Sequence, residues 1–337
     1  MSVIMYDLPD VQQSVEGFYK IPINKVGVRN ITIPFKVIRR DSSICNTIAK
    51  VSSYCDLIAD SKGINMSRIS RTLFSYIESV DYVNTEELAL KLKDAHQSND
   101  VYVKCSFPYI FRTLTPITAI DSYETVDVIL QTKYYNNKFR HYLTVESTEM
   151  SLCPCSKEMS LLTNNLSESE RSWLDKYMKK DYSVPESLVE KLNVAGFGAH
   201  NQKSRIKVTV EYDMEAMVYI EDLVKIIQQS GSCETYSTLK RPDEKYVTEV
   251  SYMGSYIDEN KDMIKVGKNR GAKFVEDIAR DVVKNILKFN ADKVENTKKG
   301  TPLGGILDYV VVVNNQESIH SMEIEATAVL SAGKELR

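Results

Sequence analysis

Apolar and polar residues alternate along Lys25–Arg39 and again along Cys45–Ile58, in segments rich in Val, Ile and Thr. A period of two with β-branched residues predicts two strands. The period then lengthens. After Ser67, which predicts an N-cap, Ile69, Leu73 and Ile77 fall on one helical face. Asn84, followed three residues later by Glu87, predicts the capped start of a second helix running to about His96. Alternation returns at Val101–Phe107, where Val101, Val103, Cys105 and Phe107 share a face. It continues in Thr125–Lys133 and Phe139–Glu146, which the Asn136-Asn137 pair joins as a hairpin.

The same order then recurs. Ile206, Val208 and Val210 alternate with polar residues in Arg205–Glu211. Helical stripes follow, first Ile220, Leu223, Val224 and Ile227, then Val275, Ile278, Val282 and Ile286. Apolar strands near Ile306–Val313 and Met322–Leu330 close the chain. Strand pair, helix pair and strand pair, given twice, predict an α+β fold of antiparallel sheets with segregated helices, and not the strict strand–helix alternation of a doubly wound fold. The division falls into a first unit over 1–148 and a second over 149–337. Three polar stretches interrupt the pattern: Leu161–Val194 with the single tryptophan Trp173, Tyr252–Gly271, and Asn290–Gly305. All three are expected to be surface insertions.

Charge narrows the partners. The 337 residues carry 43 Lys and Arg against 46 Asp and Glu, a formal charge of −3, which does not suit a protein built for nucleic acid or an acidic membrane. No stretch approaches the ~18 apolar residues that span a bilayer, and Met1–Ser14 lacks the apolar core of a secretory signal. Six cysteines in a chain this long do not make a disulfide scaffold. A reducing, cytoplasmic setting is expected, with Cys45, Cys55, Cys105 and Cys233 as small buried hydrophobes.

Candidate chemistry is sparse. Of the four histidines, His96 ends a helix among polar residues and is expected in solvent, whereas His141 shares a face with Phe139, Leu143 and Val145 and is expected in the core. His200 and His320 lie beside small and polar residues at strand boundaries, where loops deliver functional side chains. Cys153-Pro154-Cys155 follows a strand end and is either a metal-binding pair or a pair of structural thiols. If Cys153 and His200 met at one end of a sheet, Glu244 or Glu317 could add an oxygen, giving the open coordination of a catalytic metal. Glu317 and His320 converge if their stretch is a loop or a helical turn, as a general acid–base pair requires; otherwise they are a surface Glu and His. Glu276 suits the first turn of a helix by charge alone. Lys62, Arg68, Arg112, Lys157, Lys203, Lys240 and Arg241 each sit beside a structure-breaking residue. They are either scattered surface charge or a converging set for a polyphosphate.

At these residues the sequence resembles the type IB GTP cyclohydrolase family. The matching segments include Asp10-Val11-Gln12, Pro22-Ile23-Asn24-Lys25-Val26-Gly27 and Ser106-Phe107-Pro108. The longest are Ser151-Leu152-Cys153-Pro154-Cys155-Ser156-Lys157-Glu158, Gly198-Ala199-His200-Asn201-Gln202 and the run from Lys240-Arg241-Pro242-Asp243-Glu244 to Glu249. Lys273-Phe274-Val275-Glu276-Asp277 and Glu317-Ser318-Ile319-His320 complete the set. Two departures stand out: Leu161–Val194 separates two motifs that nearly adjoin in the family, and Asn65 takes the place of a histidine in Lys62-Gly63-Ile64-Asn65-Met66-Ser67-Arg68.

The resemblance implies two tandem tunnelling-fold (T-fold) units per chain, a homotetramer with active sites at subunit interfaces, and hydrolysis of GTP to 7,8-dihydroneopterin triphosphate and formate, at the head of folate or deazapurine synthesis. It implies one divalent metal (Zn, Mn or Fe) on Cys153, His200 and Glu244. It further implies guanine recognition by Glu276, proton transfer by His320 with Glu317 and by Cys155, and substrate contacts from Lys62, Arg68, Arg112, Lys157 and Arg241. A non-catalytic T-fold protein that binds a pterin or purine and carries a structural metal is an alternative. So is a T-fold nitrile reductase, which needs a nucleophilic cysteine and a nicotinamide site.

Overall fold

The computed structural model describes residues 19–163, 167–170, 172, 199–214, 218–267, 269–296 and 305–333. Asp10-Val11-Gln12, Trp173 and most of Leu161–Val194 lie outside them, as do residues 297–304.

The chain forms two compact units that interleave along the sequence. The first takes the described residues up to Tyr109, with Asp127–Thr144 and Glu211–Ile220. The second takes Ile110–Val126 and the described residues of Val145–Val210 and from Glu221 onward. Strands β3 (Val101–Leu114), β4 (Asp121–Tyr135), β5 (Lys138–Leu152) and β6 (Asn201–Tyr212) each contribute residues to both.

In the first unit, β1 (Ile23–Ile38) and β2 (Ile44–Leu57) pair antiparallel, and β2 pairs antiparallel with β3. Alternation puts Ile33 and Phe35 of β1, Ala49 and Val51 of β2, and Val101, Val103, Cys105 and Phe107 of β3 in the core. Phe35 and Phe107 bring their rings to 5.1 Å. Gly27 is required where β1 approaches β2, because a Cβ there would lie 2.0 Å from the Ser53 carbonyl oxygen. Asn136 and Asn137 take φ of 51° and 58°, the left-handed pair expected of a two-residue hairpin turn.

Helices α1 (Met66–Ser79) and α2 (Thr85–His96) pack on each other, and α1 also packs on β1. They bury Ile69, Leu73 and Tyr76, and Leu88, Ala89 and Leu92. Asn84 caps α2 as predicted, accepting from the Glu86 and Glu87 amides. The cap of α1 is Asn65 and not Ser67: its side chain accepts from the Arg68 amide and the Ser67 hydroxyl. His96 also departs from expectation. It is buried to 7% exposure, and burial together with the nearby Arg68 charge lowers its pKa. His141 is a core histidine as predicted, with Glu86 at 2.8 Å from Nε2 and Thr132 at 3.3 Å from Nδ1.

The second unit adds α3 (Pro154–Thr163), α4 (Ile220–Gln228), α5 (Arg241–Met253), the short hairpin β7 (Ser255–Ile257) and β8 (Met263–Lys265), α6 (Val275–Asn296), and the antiparallel pair β9 (Ile306–Gln316) and β10 (Glu325–Ser331). The eight long strands hydrogen-bond in the order β1-β2-β3-β4-β5-β6-β9-β10. Helix α6 packs on β9 and β10 and buries Val275, Ile278, Val282 and Ile286, the predicted stripe. Among the described residues no helix is long and apolar enough to cross a membrane.

Tyr252–Gly271 is only in part the surface excursion that its polarity predicts: Glu259–Asp262, Ile264, Lys265 and Gly267 are exposed, but its ends are not. Tyr252, Ser255 and Ile257 are buried, and the Arg270 guanidinium is enclosed, donating to the Gln228 and Gly231 carbonyls and pairing with Glu234. A buried Arg is acceptable where several fixed acceptors use its fork, and sequence periodicity does not reveal them. Helices α3 and α5 do not show in the periodicity either. Each starts at or beside a proline, Pro154 and Pro242, which is tolerated in the first helical turn because no N–H is required there.

Candidate active site

The end of β5 organises the second unit. The Ser151 hydroxyl donates to the Lys273 carbonyl at 3.4 Å, and the Lys273 amide donates to the Leu152 carbonyl at 3.1 Å. Both bonds dock the start of α6 on this strand. Asn315 near the end of β9 donates from Nδ2 to the Ser151 hydroxyl at 3.1 Å. The Cys153 amide donates to the His200 carbonyl at 3.4 Å, which joins the head of β6. The strand end that presents Cys153 is therefore tied to the segments carrying His200, Glu276 and Glu317.

Cys153 immediately precedes α3, and its carbonyl accepts from the Lys157 amide at 3.1 Å, as in a first helical turn. Cys153 is half-buried and Cys155 exposed, and both are free thiols. The Ser156 hydroxyl accepts from the His200 amide at 3.4 Å. The His200 Nδ1 lies 3.2 Å from the Ser318 hydroxyl, an arrangement that occupies one ring nitrogen and leaves Nε2 for another partner.

Residues 317–324 form the loop between β9 and β10, closed by the Glu317 amide donating to the Ile324 carbonyl at 2.9 Å. Within it the His320 amide donates to the Glu317 carbonyl at 3.4 Å. The two residues share a turn, joined through the backbone and not by a bond between carboxylate and imidazole. The Glu317 carboxylate is engaged by Gln202, whose Nε2 donates to Oε2 at 2.5 Å. Gln202 and Ser318 lie inside the matching motifs, yet residue type alone does not mark either as a site residue. A signal does exist in the spacing of two from His200 to Gln202, which puts both on one side of an extended chain.

Glu276 is exposed in the first turn of α6, where the helix dipole favours its charge. The preceding Lys273 is buried. Its ammonium donates to the Ser230 and Gly231 carbonyls and pairs with Asp281 at 2.8 Å, so it anchors the helix start and does not reach a ligand.

Lys157 is also buried. Its ammonium sits 5.1 Å from the centre of the Tyr252 ring, and burial pushes its pKa down to about 8. That places it beneath α3 and not among surface cations. Arg112 is exposed on β3 and pairs with Asp121 at 2.5 Å, and Arg241 is exposed at the head of α5. Beside Arg241, Asp243 is fully buried and accepts from the Ile117 and Thr118 amides, the Thr118 hydroxyl and the Lys240 amide. Burial acts to raise its pKa, but these bonds outweigh it and hold the carboxyl well below the usual range. They also fasten the β3–β4 connection to the head of α5. Lys62 and Arg68 belong to the first unit, where Lys62 is exposed and Arg68 donates to the Ala95 carbonyl at 3.1 Å.

The donor chemistry suits a metal in part. A half-buried thiol and an imidazole with a hydroxyl partner on Nδ1 stand on segments bonded to each other. Glu244 is exposed in the first turn of α5. Among the described residues no three His, Cys, Asp or Glu side chains group closely enough to hold a metal ion.

Comparison with known proteins bears on nearly the whole chain. The profile of the family described as type I GTP cyclohydrolase folE2 matches residues 8–326. A GTP cyclohydrolase FolE2 of Kosmotoga olearia is 30% identical over 325 residues, covering 96% of this chain and 98% of that protein. One from Geobacter metallireducens is 30% identical over 316 residues, covering 94% of each. One from Magnetococcus marinus is 29% identical over 314 residues, covering 93% and 92%. Among solved structures, uricase from Arthrobacter globiformis aligns over 92% of each chain with a TM-score of 0.45 and 7% identity.

Proposed function

The chain belongs to the type I GTP cyclohydrolase folE2 family, and on that footing we propose that this GTP cyclohydrolase takes GTP and water to 7,8-dihydroneopterin triphosphate and formate with one divalent metal, Zn, Mn or Fe, per site. The observation that carries the reading is the convergence on the end of β5 of segments bearing Cys153, His200, Glu276, Glu317 and His320.

The residues that would hold the metal are Cys153, His200 and Glu244, the last standing in the first turn of α5. A bound divalent ion supplies the acidity that makes water a nucleophile near neutral pH. Glu276, exposed at the start of α6, receives the ring N–H and the amino N–H of guanine on its two carboxylate oxygens. Water adds at carbon 8 of the base, and His320 gives a proton to the ring nitrogen that leaves as the carbon–nitrogen bond breaks. Cys155, exposed beside Cys153, relays a proton. Of the cations that the resemblance offers for the triphosphate, Arg112 and Arg241 stand in the second unit with the other site residues, and Lys62 and Arg68 in the first. Lys157, being buried, contributes by supporting α3.

The assembly proposed is a homotetramer of chains built from tandem T-fold units, with sites at the subunit interfaces. Exposed apolar side chains at the β9–β10 end, Ile319, Met322 and Val329, support covering that edge by another subunit. The six free cysteines support a reducing, cytoplasmic setting.

The test is incubation of metal-reconstituted protein with GTP, with formate and a dihydropterin triphosphate measured together. Both should form, stop on chelation and return when Mn or Zn is added. Undiminished turnover by demonstrably metal-free protein would refute the metal requirement, and absence of both products would refute the reaction.

A further inference from the structure

Two hydrogen bonds join the same two short segments of the second unit. Gln202 Nε2 donates to the Glu317 carboxylate, and the Ser318 hydroxyl meets His200 Nδ1 at 3.2 Å. The partners are 115 and 118 residues apart in sequence, so neither bond is a by-product of local geometry. We infer that Gln202 and Ser318 are positioning residues: as a matched pair they lock the β9–β10 loop to the head of β6, so that Glu317 and His320 keep a fixed place relative to His200.

This inference rests on the proposed reaction for its catalytic consequence, though its geometric content does not depend on it. The loop needs such a lock. Ile319, His320 and Met322 are exposed, and the Glu317–Ile324 bond closes only the neck of the hairpin. The remaining backbone bonds, from the His320 amide to the Glu317 carbonyl and from the Ile324 amide to the Met322 carbonyl, are local to the loop and do not fix it against β6, whereas a proton donor on the loop must stay within hydrogen-bond reach of its target. Gln202 can impose the restraint because it is itself held, at 5% exposure on β6. An amide also suits this role, because its NH2 donates to the carboxylate without bringing a charge into a half-buried site.

Ser318 works in the other direction. Ligation through Nε2 requires the proton on Nδ1, and the Ser318 hydroxyl, 3.2 Å away, is placed to accept it. Since Ser318 follows Glu317 directly, any slip of the loop disturbs both bonds together. The imidazole that would hold the metal and the turn that carries the acid are thereby coupled in register.

The experiment uses Gln202→Met, which keeps length and removes the donor, with Ser318→Ala and Ser318→Thr. In metal-free full-length protein, amide hydrogen exchange of the 317–324 loop should quicken about tenfold or more in Gln202→Met and Ser318→Ala, with a global midpoint within a few degrees of wild type. Zn or Mn affinity should fall ~10-fold in Ser318→Ala and recover in Ser318→Thr. With GTP, Gln202→Met should lose kcat by ~10–100-fold at nearly constant KM.

Unchanged exchange in the 317–324 loop overturns the inference whatever the enzyme does. So does a loss of activity that merely follows a fall in thermal midpoint, or a Ser318→Thr protein no better than Ser318→Ala. Failure of the wild type to release formate would refute the proposed reaction and leave the exchange result to decide the lock.

Discussion

The amide of Lys273 donates to the carbonyl of Leu152 at 3.1 Å, and this bond sets the head of α6 beside the strand that ends at Cys153. Glu276 stands in the first turn of that helix, so its place relative to Cys153 is determined by backbone and by the buried Lys273 ammonium below it. A carboxylate held this way is suited to reading a base edge.

Glu276→Gln should therefore lower kcat/KM for GTP by ~100-fold or more, because two hydrogen bonds to a charged acceptor contribute about 1.5–3 kcal/mol each and the amide offers only one acceptor oxygen. Parallel measurements with ATP and inosine triphosphate check the assignment. A lowered thermal midpoint with unchanged preference for GTP would mean that Glu276 serves the helix dipole and not the base.

Cys153→Ala and His200→Ala should abolish formate release while the protein stays folded. His141→Ala should act on stability instead, since it removes a buried ring that meets Glu86 and Thr132, at a cost of about 1–3 kcal/mol. Activity per folded molecule and urea midpoints separate the two effects. A folded His141→Ala protein without turnover, beside an active His200→Ala protein, would reverse the assignment.

Asp243→Ala should destabilise the second unit by at least about 2 kcal/mol, as it strands the Ile117, Thr118 and Lys240 amides without their acceptor. The same change should loosen the β3–β4 connection selectively, which hydrogen exchange over residues 115–120 would report. Equal protection in the variant would show that the clamp is dispensable.

Glu149 gives a pH signature. Its side chain is almost wholly buried, with the Ser147 hydroxyl donating to one oxygen at 3.0 Å, and burial pushes its pKa up to about 8. The native protein thus keeps a proton on this group that the unfolded chain releases in the ordinary glutamate range, near 4.5. Its contribution to stability is complete below that range and is lost as pH rises toward about 8. Glu149→Gln should flatten this part of the midpoint-against-pH curve and be relatively more stable at pH 8. Identical slopes in both proteins would show that Glu149 is ionised in the native state.

Periodicity alone determined the class of the fold and the identity of most elements. The alternating faces of β1 to β3, the capped start of α2 at Asn84, the Asn136-Asn137 turn and the apolar stripe of α6 all follow from local rules, since each depends on residues a few positions apart. Motif resemblance likewise singles out Cys153, His200, Glu276, Glu317 and His320 without reference to the fold. What the local rules do not carry is burial and partnership across long separations. Lys157 and Arg270 read as surface cations until the fold surrounds them with carbonyls, a carboxylate or a ring, and His96 reads as solvated until the fold buries it. The cost of burying such groups is met only by groups that the tertiary fold supplies. For the same reason the bonds of Gln202 to Glu317 and Ser318 to His200 belong to the tertiary structure alone: they exist only because β6 and the β9–β10 loop, more than a hundred residues apart, end at the same place.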